Sequence, residues 1–114
     1  MITLYERFAN KENIENKLTQ LDLAEHEREH LLDLLAKIYQ QHLLIGLLDL
    51  LADDERTSFL EKFYYATETE VIGFLQDRVE NLDEKITTLV AELELEVFEM
   101  LEMEVNKRRK SAKG

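Results

Sequence analysis

No proline occurs in the 114 residues, and only three glycines do. Proline and glycine are the residues that end helices and shape tight turns, and a chain of many strands needs a steady supply of both. With Leu, Glu, Lys, Gln and Ala dominant, almost every segment favours helix, and the boundaries between helices must come from capping signals. The sequence therefore predicts an all-α fold. Its size, 13.5 kDa with 45% apolar residues, suits a single domain that folds without staples. The absence of cysteine excludes disulfides, thiolate metal sites and a cysteine nucleophile.

Five helix starts can be proposed. Thr3 with Glu6, Asp22 with Glu25, Thr67 with Glu70 and Asn81 with Glu84 each place a capping oxygen three residues before a carboxylate that can reach back to the cap N–H. Asp53 is the fifth, with Asp54 and Glu55 in the first turn at the positive end of the helix dipole. The expected helices span 3–19, 23–51, 54–66, 68–80 and 82–108, the first broken around Asn10 to Asn13, and short loops make them a compact bundle. Residues 23–32 (LAEHEREHLL) and 51–60 (LADDERTSFL) echo each other with five identities, as two helix starts obeying the same rules do. A solenoid needs at least three such units.

Within the second helix, Leu43 to Leu51 (LLIGLLDLL) points apolar side chains in nearly every direction and leaves one narrow strip at His42, Gly46, Asp49 and Asp53. That pattern predicts a buried central helix, covered by the other four helices or by a second copy of the chain. The stretch is too short to span a membrane and contains Asp49, which makes it a core segment. In the last helix, ELELEV at 92–97 alternates like a strand, but its residue types favour helix. A helical projection gathers Leu82, Ile86, Leu89, Val90, Leu93, Val97, Met100 and Leu101 on one face and leaves Leu95 and Met103 off it.

Charge is divided along the chain. Five of the 14 bases fall in the last eight residues, so residues 1–106 hold nine bases against all 25 acids, a net of −16. A body so acidic repels phosphate backbones and is not expected to bind nucleic acid directly. Residues 1–106 read as one acidic domain and 107–114 as a flexible basic tail, in which Lys107, Arg108, Arg109 and Lys110 offset the helix dipole or meet an anionic partner. MITLYERF lacks the layout of a signal peptide, and the cytoplasm is the expected compartment.

Three motifs invite chemistry. His26-Glu27-Arg28-Glu29-His30 spells H-E-x-x-H, the zincin ligand spacing, but both intervening positions are charged and the segment sits in a solvated first turn. Glu27-x-x-His30 is also one half of a di-iron bundle motif, and no second half exists. Glu92, Glu96, Glu99 and Glu102 form an acidic stripe without the glycine-punctuated loop of a calcium site. No metal, cofactor or catalytic residue is expected. Phe59, Phe63 and Tyr64 read as core residues and Tyr65 as exposed or interfacial.

The segments LDLAEHEREHLL, LADDERTSFLEKF and EVIGFLQDRVENLDEKI together resemble a family of small, acidic, all-helical bacterial domains of unknown function, over about residues 20–100. The resemblance implies the fold and carries no activity. The expected function is a non-enzymatic protein–protein interaction or assembly module that works through helix faces, with Leu95, Met100, Met103 and Tyr65 as the candidate interface and a two-fold dimer as the expected assembly. A competing expectation is an acidic mimic that occupies the basic groove of a nucleic-acid-binding protein.

Overall fold

The computed structural model describes residues 3–113, with side chains through Lys107. The described residues form six helices and no strand: α1 (Leu4–Phe8), α2 (Lys11–Gln20), α3 (Glu25–Asp49), α4 (Asp53–Tyr65), α5 (Glu68–Arg78) and α6 (Leu82–Lys113). The all-α bundle expected from the sequence is present. It is drawn out to 53 × 24 × 24 Å, because α6 alone has 32 residues and at 1.5 Å per residue is about 48 Å long.

The helix starts follow the capping logic in part. Thr67 caps α5, its hydroxyl accepting from the Glu70 N–H at 3.3 Å. Asn10 does the same for α2, accepting from the Asn13 N–H at 3.1 Å, and this cap splits the expected first helix in two. Thr3 precedes α1 without a side-chain cap bond. Asp22 and Asn81 depart from expectation for one shared reason. They occupy the left-handed region at φ 53° and 54°, which Asp and Asn tolerate better than most residues. Asp22 thereby terminates α2, and α3 begins after Ala24; Asn81 instead offers its carbonyl to the Lys85 N–H at 3.1 Å.

The echo between 23–32 and 51–60 is a structural one. Ala24 and Ala52 hold nearly the same backbone angles, φ −65° and ψ 154° against φ −68° and ψ 156°, and each precedes its helix. Seven residues further on, Leu31 and Phe59 are both buried. Asp53 is thus the first residue of α4, one place later than a cap, and Glu55 reaches back to the Ala52 N–H at 3.1 Å.

Two points of the expected architecture are corrected. α3 is not buried all round: only Leu31, Leu35, Tyr39, Leu43 and Leu47 are enclosed. These recur every fourth residue, so the buried stripe advances about 40° per step and winds around the helix. A single stripe is what a helix with few neighbours can bury, and Leu34 and Ile45 are left at the surface. Second, α6 continues as helix to Lys113, past the expected end at 108. Lys and Arg are good helix formers, and bases at a helix C-terminus complement its dipole. The side chains of Arg108, Arg109 and Lys110 lie outside the described residues.

One continuous core links the helices. α6 contributes Leu82, Ile86, Val90, Leu93, Val97 and Leu101 to it, and α4 and α5 contribute Phe59, Phe63 and Phe74. Arg78 stacks over the Phe74 ring at 3.7 Å and pairs with Glu55 at 3.2 Å, joining α5 to α4. α2 is tied to α6 by Asn13 donating to Glu94 at 3.0 Å and by the Lys17–Glu102 pair, and to α3 by Arg28–Glu15. Among the described residues α3 alone has the length and apolarity of a membrane-crossing helix, and its buried stripe is part of this shared core.

Candidate functional site

α3 and α6 pack against each other in opposite directions, with Gly46 beside Leu89 at one end and Leu31 near Leu101 at the other. At the first end a Cβ on residue 46 would stand 3.0 Å from Leu89 Cδ2. The missing side chain makes room for the leucine. At the second end the pair leaves a groove of 480 Å³. Leu31, Leu34, Leu35 and Ile38 of α3 line it with Val97, Met100, Leu101 and Met103 of α6, and Glu104 and Lys107 stand at its α6 margin.

All of this lining comes from α3 and α6. Leu34 is 44% exposed, Met100 51% and Met103 66%. Three large, flexible apolar side chains along one groove expose surface that would gain about 25 cal/mol per Å² on being covered, and methionine adapts to varied partners. Met100, expected on the main apolar face, sits at its edge, where it serves the groove.

The four expected interface residues therefore separate. Met100 and Met103 share the groove. Leu95, 74% exposed, is not among its lining residues and lies about 80° around α6 from Met103. Tyr65, 90% exposed on α4, borders a separate shallow cleft with Glu61, Lys62, Ala66 and Glu70. The α3 half of the groove was not located by sequence reasoning, which found excess apolar surface on this helix at Leu43 to Leu51 and not at Leu31 to Ile38. The arithmetic behind the excess holds: the six helices among the described residues cannot surround one of them and also cover α6.

The acidic stripe also divides. Glu102 is engaged with Lys17, whose ammonium lies 5.9 Å from the Phe98 ring centre, while Glu92, Glu96 and Glu99 are exposed. By the helix register these three fall within about 80° of Met103 and Lys107 on one outward face of α6.

The H-E-x-x-H segment opens α3. His26 and His30 are exposed, and the Arg28 between them is paired with Glu15 of α2. Among the described residues no group of three or more His, Asp or Glu side chains is arranged to hold a metal ion. Among the described residues the Tyr39 hydroxyl is buried without a hydrogen-bond partner, and the Tyr39 ring packs edge-on against Tyr5 with ring centres 5.4 Å apart. Burial, with the negative charge of Glu94 nearby, pushes the Tyr39 pKa far above the usual tyrosine value. No family model, curated protein or solved structure matches the chain.

Proposed function

We propose that the chain is a non-enzymatic interaction or assembly module that works through the α3–α6 groove. The observation that carries this is the groove's composition. Eight apolar side chains from two antiparallel helices form it, with a single acid and a single base at one margin. Such a surface suits an apolar helix face and offers no gathered nucleophile, base or metal ligand set.

The test is an affinity capture from extract of the native host, using the wild-type chain and Leu34→Glu as baits at 0.05 M and 0.5 M salt. Apolar docking predicts a partner held at both salt concentrations and lost with Leu34→Glu. A partner captured equally by both baits and released at 0.5 M salt would replace this function with the acidic mimic, which the outward Glu92, Glu96 and Glu99 favour.

A further inference from the structure

The outward face of α6 carries a symmetric pattern. Counting from Met103, Glu99 is four residues back and Glu96 seven back; Lys107 is four residues on and Lys110 seven on. Because α6 is continuous from Leu82 to Lys113, spacings of four and seven keep all five positions within an arc of about 80°. Glu96, Glu99, Met103 and Lys107 are exposed there, and the register carries position 110 to the same face. Met100 and Leu34 flank Met103 on the groove side.

A face reading acid, acid, apolar, base, base is complementary to itself when reversed. Two copies of α6 laid antiparallel with a two-fold axis through Met103 bring Glu99 to Lys107 and set Glu96 opposite position 110 in both halves of the seam, with Met103 meeting Met103 at the centre. A parallel pairing sets acid on acid, and moving the two-fold axis a heptad toward the N-terminus, to Glu96, sets Glu96 on Glu96 and Glu92 beside Glu99. Like charges in juxtaposition are strongly disfavoured at an interface, so the pattern selects one register.

We propose that the occupant of this face is a second copy of the chain, paired antiparallel along α6 about Met103, with the groove-side Met100 and Leu34 completing the apolar centre. This assignment rests on the groove face being the interaction face. It places Glu96 and Glu99 of the acidic stripe in the seam, where net charge alone would keep them out. The sign of the salt effect follows: added salt screens the attraction between the acidic and basic halves of the seam and weakens the dimer.

The test uses two full-length variants and their mixture, followed by sedimentation equilibrium. Wild type should dimerise, several-fold more tightly in 0.05 M than in 0.5 M salt. Glu96→Lys with Glu99→Lys, and separately Lys107→Glu with Lys110→Glu, should each dimerise at least about tenfold more weakly. Mixed in equal amounts the two variants should form a heterodimer of near wild-type affinity, because every acid again faces a base; this recovery also shows that both are folded. A wild type that stays monomeric at about 0.1 mM in 0.05 M salt, or a mixture with no heterodimer, would overturn the proposal. The groove's role as a docking face stands or falls separately, on the Leu34→Glu capture.

Discussion

Between Gly46 and Leu89 the two long helices approach closely enough that one of them gives up its side chain; between Leu34 and Met103 they are parted by a groove. Both ends are made of the same leucine-rich material. The difference lies in what else reaches them. The first end runs into α4 and α5, whose phenylalanines join the core, whereas the second is flanked by α2 on one side only, through Asn13–Glu94 and Lys17–Glu102. Apolar composition therefore does not decide burial in so small a bundle. The supply of covering helices does.

The sharpest break of this comparison is a pair of truncations. Leu47→Ala, in the enclosed stripe, should lower stability by about 2–5 kcal/mol, and Leu34→Ala, at the groove, by no more than about 0.5 kcal/mol at concentrations where the chain is monomeric. Urea denaturation followed by circular dichroism measures both. Equal losses would mean that the two ends are equally packed.

A smaller effect comes from the middle of α3. Tyr39 holds its proton in the folded chain because its pKa is raised by burial, whereas in the unfolded chain it ionises above about pH 10. The folded state thus binds more protons, and stability should fall as pH rises past 10, by up to about 1.4 kcal/mol per pH unit from this residue. Tyr5, raised in the same direction by burial, adds to the trend. Tyr39→Phe should leave neutral-pH stability unchanged or about 1 kcal/mol higher, since it removes an unsatisfied hydroxyl, and should flatten the alkaline decline in thermal melts.

The glycines sharpen the contrast further. A Cβ at Gly73 meets nothing within 4 Å, so Gly73→Ala in the interior of α5 should stabilise by about 0.5–1 kcal/mol. Gly46→Ala gains the same helical preference but must displace Leu89, and its gain in melting temperature should be the smaller of the two. Smallest of all, replacing His26 and His30 together by Ala should change stability by at most about 0.5 kcal/mol, because both are exposed. A larger loss by denaturant titration would give the segment a role that its surroundings do not.

Much of the fold was legible in the sequence because helix propensity and caps are local. Thr67 and the break near Asn10 could be read from residue spacing, and so could the core face of α6. Asp22 and Asn81 were misread because the same short polar side chains serve both as caps and as left-handed residues, and spacing does not separate the two uses. Half of the groove was legible: Met103 falls off the α6 core face in projection, but Leu34 looks like any other leucine of α3 until the number of neighbouring helices is known. Glu96 and Glu99 were seen as a stripe. Their relation to Lys107 and Lys110 appears only once α6 is continuous through residues expected to form a flexible tail.

The chain contains no cysteine, so a single thiol can be placed at will. Met103→Cys and Leu95→Cys put one on each of two exposed sites of α6, about 80° apart. With a short thiol-to-thiol cross-linker at low salt, the account predicts that Met103→Cys is captured as a covalent dimer in high yield and that Leu95→Cys, though still paired, is not cross-linked. Equal cross-linking of the two, or capture at Leu95 alone, would contradict it.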